Sequence, residues 1–323
     1  MRIIYVDYFG PESSNSYWLT EFQKRGVVVT YDILQIKDDL KEFKEAVLKF
    51  KPTHIHFGGS VKSAGYMPPI LIREIREACS NTRITFFYGD AYNEEKYYHD
   101  LAPYASEIFM SNASFNYTYM PCPAPKENTR QWQDDKKYDI VFIGNNYNQE
   151  RLNLIKQLSK FKIVIFGNKW PDEVDCRGIV SLADYPNVCA QAWIVFGDPA
   201  GPVCERSGRD ECTVGNPDSL YDSPLCRSRS CSEYEDLNAY LSNRLMNTLI
   251  SGSVHLAPYV KGMEQYWIDR QDLVWYKTEQ ERDKAIEELL NSPELCKEIA
   301  SSAQSKVLKK YTFEKCARRI LNG

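Results

Sequence analysis

Two charged side chains and an amide lie close together in segment 240–267, which reads YLSNRLMNTLISGSVHLAPYVKGMEQYW. The pattern predicts a helix that ends at Gly252, then the strand SVHLAP and a charged loop. These elements would place Arg244, Asn247 and Glu264 near one edge of a sheet. There, a guanidinium would bind a diphosphate in bidentate fashion, and a carboxylate would accept hydrogen bonds from sugar hydroxyls. The alternative for Arg244 is an ordinary solvated helix residue.

A second group of reactive side chains is the cysteine-rich stretch within residues 200–236. Its cysteines have the spacing C-x7-C-x13-C-x4-C, which lacks the two close pairs of a zinc ribbon. A long irregular loop inside a domain is nevertheless unusual unless a bound metal or another cross-link fixes it. A structural zinc and an unliganded reduced loop are therefore both open. The residues concerned are Cys204, Cys212, Cys226 and Cys231, with the basic Arg227 and Arg229 between them.

The elements that position these groups alternate between short β-rich runs and helical patterns. RIIYVDYF, VVVTYDIL, THIHFGG, RITFFYGD and EIFMSN predict five strands separated by helices. Residues 121–137 are proline-rich and then polar, as in a linker. The alternation of strand and helix patterns then resumes, with the predicted strands YDIVFIGNN, KIVIFGNKW, WIVFGD, SVHLAP and LVWYK. We therefore predict an α/β fold with two doubly wound Rossmann-like domains that face each other across a cleft.

The predicted domains are 1–120, on the acceptor side, and 138–305, which binds the donor and carries the cysteine-rich insertion. A C-terminal helix over 306–323 is expected to pack back on the first domain. The chain has 323 residues and a net charge of −4, so no general basic field recruits nucleic acid. No signal sequence or membrane span is predicted, which favours a cytoplasmic protein.

The second half of the chain resembles the CgeB-like branch of the group 1 glycosyltransferases, which have the GT-B fold. The likeness rests on segment 240–267, on YDIVFIGNNYNQERLNLIKQL, on FGNKW, on ADYPNVCAQAWIVFG, and on the closing YTFEKCARRIL. The resemblance implies that Arg244 contacts the donor diphosphate and that Glu264 contacts the sugar. The family's ribose-binding glutamate is replaced by Asn247. Gly144, Arg151 and Lys169 complete the implied donor site, although Gly144 could also be a plain turn.

The first half resembles the same group more faintly. KPTHIHFGG is similar to a strand that ends in a histidine, here His56, and FFYGDAY to a strand that ends in an acidic residue, here Asp90. These two residues are the catalytic candidates, with Asp90 as general base or acceptor-positioning carboxylate. A buried structural histidine is the alternative for His54 and His56. The turn FGPESSN would lie on the acceptor side, with candidates Gly10, Ser13 and Ser14.

These features predict a glycosyltransferase that moves a sugar from a UDP- or GDP-type donor to a hydroxyl acceptor. The resemblance implies retention of anomeric configuration without a catalytic metal, so no cofactor is expected for catalysis, and a structural zinc is expected only if the cysteine-rich loop binds one. The acceptor is a glycan, a small molecule or modified DNA. Three alternatives remain: transfer onto hydroxymethylated DNA bases, a non-catalytic nucleotide-sugar binding protein, and a nucleotide-sugar epimerase. Because Asn247 replaces the glutamate of the family, a non-catalytic nucleotide-sugar binding protein remains an alternative.

Overall fold

The structure is a computed structural model that describes residues 1–7, 9, 15–33, 36, 39–58, 68–89, 95–113, 117–146, 149–198 and 243–323. The described chain divides into two compact units. The first contains the described parts of 1–121 together with 313–323, and the second contains 122–198 and 243–312. Of the described helices, none combines the length and the apolarity that crossing a membrane requires.

The first unit is built on a parallel sheet with the strand order β2-β1-β3-β4-β5-β6. Its strands are β1 (Arg2–Asp7), β2 (Val27–Asp32), β3 (His54–Phe57), β4 (Arg83–Tyr88), β5 (Glu107–Met110) and β6 (Thr118–Tyr119). Its first helices are α1 (Asn15–Gln23), α2 (Leu40–Phe50), α3 (Pro69–Ala78) and α4 (Glu95–Leu101). The inner strands are almost wholly buried because helices cover both faces of the sheet.

The second unit repeats this plan with a parallel sheet in the order β11-β10-β9-β7-β8. Its strands are β7 (Tyr138–Ile143), β8 (Ile163–Phe166), β9 (Ala192–Phe196), β10 (Val254–Pro258) and β11 (Val274–Tyr276). Its helices are α5 (Gln149–Leu158), α6 (Tyr185–Ala190), α7 (Asn243–Ile250), α8 (Glu279–Leu290) and α9 (Pro293–Lys310). The predicted left-handed end of α7 is present, since Gly252 has φ of 70°.

The last helix, α10 (Phe313–Asn322), belongs to the first unit. Its Phe313 ring packs edge-on against Trp18 of α1, with ring centroids 5.0 Å apart. Its final carbonyls accept hydrogen bonds from the sheet: Arg83 Nε donates to Ile320 O at 2.8 Å, and His54 Nε2 lies 2.7 Å from Leu321 O. His54 therefore anchors the C-terminal helix.

Three details differ from the sequence-based expectation. Strand β6 was not predicted because two residues are too short to show a periodic pattern. Helix α9 continues to Lys310, so the final helix begins at Phe313 and not at 306. The expected linker residues 122–137 pack on the second unit, where Trp132 contacts Trp193 with ring centroids 5.6 Å apart.

Candidate functional site

The carboxyl ends of the parallel strands β7, β8, β9 and β10 meet at one edge of the second sheet. Residues 144–146, 167–170 and 197–198 follow these strands directly and line that edge. Loops at the carboxyl ends of parallel strands are the usual ligand-binding elements of doubly wound domains. The predicted donor-binding residues are distributed over these loops and over α7.

Two glycines allow the loops after β7 and β8 to approach each other. Gly144 donates its N–H to Phe166 O at 2.8 Å, and its carbonyl accepts the Trp170 indole N–H at 2.9 Å. Gly167 has φ of 149°, and a Cβ at this position would overlap the carbonyl oxygen of Gly144. Only glycine fits there. The N–H of Gly144 is therefore hydrogen-bonded to the neighbouring strand. The need for glycine at position 167 was not identified in the sequence analysis.

Arg151 of α5 is buried and links the segments that follow β7 and β9 through hydrogen bonds. Its side chain is 3% exposed, and its Nε donates to Asp198 Oδ2 at 2.6 Å. Its Nη1 donates to the carbonyl of Asn145 at 2.6 Å, so the guanidinium supports the loop that follows Gly144. Asp198 was missed, although an aspartate directly after the buried run WIVFG was a usable signal.

Arg244 of α7 lies at the same edge. Its Nε donates to Ile143 O at 2.7 Å, its Nη1 donates to Asp198 O at 3.2 Å, and the guanidinium lies 4.7 Å from the centroid of the Phe142 ring. The side chain is half-buried, which contradicts the alternative of an ordinary solvated arginine. Gly144 leaves space for it, since a Cβ there would come within 2.6 Å of Arg244 Nη2.

Three of the groups packed around Arg244 are neutral, namely Cys189, Tyr185 and His255. Burial raises the pKa of the Cys189 thiol to about 12, although the charge of Arg244 opposes this rise. Burial lowers the pKa of His255 to about 3, and here the charge of Arg244 acts in the same direction. Burial likewise raises the pKa of Tyr185, which shares a hydrogen bond with Arg244. Arg151 and Arg244 together bring two positive charges, and Asp198 brings one negative charge. The edge therefore keeps an excess of positive charge in a poorly solvated setting, as an anion site needs.

The other donor-binding candidates are less closely grouped. Asn247 lies one turn beyond Arg244, where its Oδ1 accepts a hydrogen bond of 3.4 Å from Asn128 Nδ2. Lys169 is exposed, in the loop after β8, and has φ of 61°. Its backbone N–H donates to Asn168 Oδ1 at 2.7 Å. Neither residue contacts Arg244 through a hydrogen bond that the described structure shows.

Glu264 lies beyond the end of β10, in a single 3-10 turn over residues 263–265. Its carboxylate accepts a hydrogen bond of 2.9 Å from Tyr259 Oη. The pKa of Glu264 is lowered, first by hydrogen bonds with the backbone of the turn. The side chain is exposed and ionised, so it remains available to a ligand.

In the first unit, His56 is fully buried in β3. Its Nδ1 lies 2.9 Å from Thr85 Oγ1, and the rings of Tyr5, Trp18 and Phe22 surround it at 5.4 to 5.9 Å. Burial lowers its pKa to about 3, so the ring is neutral. This position favours the structural alternative for His56 over a catalytic role.

Several predicted residues lie outside the described residues, so the structure does not place them. They are the acceptor-side candidates and the four cysteines: Asp90, Gly10, Ser13, Ser14, Cys204, Cys212, Cys226 and Cys231. The sequence analysis missed a buried carboxylate at the end of β1. Asp7 is 2% exposed, accepts a hydrogen bond from Tyr5 Oη, and lies where a Cβ at Gly58 would overlap it.

Residues 149–322 match the family model described as glycosyl transferase-like, which is more than half of the chain. The chain belongs to this glycosyltransferase family. The match includes α5 with Arg151, α7 with Arg244, and Glu264. No curated protein matches the chain at a significant level.

Solved structures of glycosyltransferases share the fold at low sequence identity. The Anabaena HepE structure in complex with UDP and glucose is 11% identical, with a TM-score of 0.61 over 99% of this chain and 98% of that one. Sucrose-phosphate synthase from Thermosynechococcus elongatus is 10% identical, with a TM-score of 0.63 over 99% and 97%. A Rickettsia africae glycosyltransferase is 9% identical, with a TM-score of 0.61 over 100% and 99%. The predicted GT-B fold class is confirmed.

Proposed function

We propose that this glycosyltransferase moves a sugar from a UDP- or GDP-type nucleotide donor to a hydroxyl acceptor, without a catalytic metal and with retention of configuration. The observation that carries the proposal is the position of Arg244. Its half-buried guanidinium lies at the carboxyl edge of the second sheet, beside the neutral side chains of Cys189, Tyr185 and His255, and within the part of the chain that matches the glycosyltransferase family. The UDP-glucose complex of HepE supports a uridine-type donor.

The chemistry follows from the charge that develops during sugar transfer. The bond between the anomeric carbon and the diphosphate breaks, the acceptor oxygen bonds to the anomeric carbon, and the acceptor hydroxyl gives up its proton, while negative charge grows on the departing diphosphate. Arg244 would stabilise that charge, because a fixed cation in a poorly solvated site needs little reorganisation. Arg151 would act indirectly, because its hydrogen bonds fix both the loop after Gly144 and the carboxylate of Asp198. Lys169, exposed at the same edge, would add a mobile positive charge.

Glu264 and Asn247 would recognise the remainder of the donor. The ionised carboxylate of Glu264 would accept hydrogen bonds from sugar hydroxyls. Asn247 would offer the nucleoside a neutral hydrogen-bonding group, in place of the charged glutamate that the family resemblance implies.

The acceptor side of the proposal rests on the sequence. Asp90 would act as base or orient the acceptor hydroxyl, and Gly10, Ser13 and Ser14 would line its binding site. The insertion over 200–236 directly precedes α7 in the chain and would contribute to acceptor choice, with zinc bound to its cysteines as a structural staple.

The test is release of nucleoside diphosphate from a panel of nucleotide sugars, measured with and without EDTA. We expect turnover with at least one donor, unchanged by brief exposure to EDTA. Binding of the donor without turnover, over a range of hydroxyl acceptors, would favour the non-catalytic binding protein. Metal analysis of the purified protein tests the staple, which requires one zinc per chain.

A further inference from the structure

The exposed carboxylate of Glu264 is held in place by its surroundings. Gly262, with φ of 88°, turns the chain directly before the 3-10 turn. Hydrogen bonds with the backbone of Glu264 itself and of Gly262 favour the ionised carboxylate. A solvent-exposed glutamate normally samples several rotamers and loses that freedom when it binds a ligand. A carboxylate fixed beforehand avoids this loss.

Tyr259 donates a side-chain hydrogen bond to this carboxylate, with 2.9 Å between its Oη and Oε2. Its own ring is fixed on two sides. The Trp275 ring packs against it with centroids 6.0 Å apart, and Lys277 Nζ lies 4.4 Å from its centroid. Its backbone N–H donates to Tyr276 O at 2.7 Å, which ties the start of the loop to β11.

We infer that Tyr259 is a positioning residue that fixes the Glu264 carboxylate for the hydroxyl groups of the donor sugar. This inference rests on the proposed function, which assigns the sugar contact to Glu264. A carboxylate has about four acceptor sites, so the hydrogen bond from Tyr259 leaves room for a sugar hydroxyl. The positive charge of Lys277 helps to keep the carboxylate ionised.

The experiment is a double-mutant cycle between Tyr259→Phe and Glu264→Gln. Tyr259→Phe removes the donor and keeps the ring. Because a hydrogen bond to a charged group is lost, we expect kcat/KM for the nucleotide sugar to fall about tenfold, with an unchanged Kd for the free nucleoside diphosphate. In the Glu264→Gln background, Tyr259→Phe should change kcat/KM less than about twofold, because the residue acts through Glu264.

A second readout is the pH profile. The Tyr259 hydrogen bond helps to lower the pKa of Glu264, so its removal raises that pKa. The acid limb of kcat/KM should therefore move to higher pH in Tyr259→Phe. Tyr104→Phe, which removes a phenol hydroxyl in the first unit, is the matched control and should leave the profile and kcat/KM unchanged.

The outcomes separate this inference from the proposed function. An equal loss from Tyr259→Phe in both backgrounds, or an equal loss of affinity for free nucleoside diphosphate, overturns the positioning role. Wild-type activity in Glu264→Gln overturns it as well, while sugar transfer stands. A wild-type protein that neither binds nor turns over any nucleotide sugar overturns the proposed function, and the inference with it. A lower Tm in Tyr259→Phe with unchanged kinetics shows a purely structural role.

Discussion

The two sheets have comparable carboxyl edges that are built from different chemistry. Each edge has a buried aspartate at the end of a strand: Asp7 is the last residue of β1, and Asp198 lies just beyond β9. Asp198 is bound by the guanidinium of Arg151, whereas Asp7 accepts a hydrogen bond from the phenol of Tyr5. The pair at the second edge is ionic and Arg244 adds a further positive charge there, whereas the Tyr5 phenol is a neutral donor. The net positive charge of the two guanidinium groups and the Asp198 carboxylate suits the second edge to an anionic ligand.

The largest expected effect is on the buried ion pair. Asp198→Asn leaves the charge of Arg151 buried without a carboxylate, and losing one partner of a buried pair costs about 3–5 kcal/mol. We expect a decrease of that size in the free energy of unfolding, measured by urea titration. Glu173→Gln is the control, because it breaks an exposed pair with Lys156. A decrease below about 1 kcal/mol would show that the Arg151–Asp198 pair stabilises the fold no more than an exposed ion pair does.

The next effect is on anion binding. Arg244→Ala removes the cation at the edge of the second sheet, and we expect Kd for a nucleoside diphosphate to rise about 100-fold, or about 2.7 kcal/mol. Calorimetric titration measures it. Lys162→Ala removes an exposed charge that precedes β8 and should leave Kd unchanged. Unchanged affinity in Arg244→Ala would contradict the diphosphate assignment.

Each unit also holds one buried neutral histidine, His56 in β3 and His255 in β10, and both have pKa values of about 3. The ordinary histidine pKa is about 6.5, so below it the unfolded chain binds more protons than the folded chain. Stability contributed by the neutral rings is complete above pH 6.5 and is lost as the pH falls toward 3. At pH 5 each ring should account for about 2 kcal/mol of lost stability.

Single His56→Leu and His255→Leu variants test this expectation in the two units. Urea titrations at pH 5 and pH 7 should show a smaller pH dependence in each variant than in the wild type. An unaltered pH dependence in His56→Leu would show that folding does not lower the pKa of this ring.

The smallest expected effect is at Asp7, at the carboxyl edge of the first sheet. Asp7→Asn keeps an oxygen that can accept the Tyr5 hydrogen bond, so the free energy of unfolding should fall by about 1 kcal/mol. Thermal and urea denaturation, run beside Asp198→Asn, measure the contrast directly. A loss at Asp7 as large as that at Asp198 would show that the two edges depend equally on charge.

The two edges also differ in how far the sequence predicted them. Arg244 and Arg151 were identified from the family resemblance, and the structure brings both guanidinium groups to the Phe142 ring at the second edge. His56 was expected as a catalytic candidate because its strand resembles one that ends in a histidine. The register pairs it with Tyr5 on one neighbouring strand, and α1 covers it, which a strand pattern alone does not reveal.

The sequence by itself determined the alternation of strands and helices, the two doubly wound units and the family, because periodicity and local motifs are properties of neighbouring residues. The tertiary structure alone decided which side chains meet. Asp198 and Arg151 are 47 residues apart in the chain. Gly167 and Gly144 come together only when β8 lies beside β7. Such pairs depend on strand order and register, and the packing of distant segments sets both.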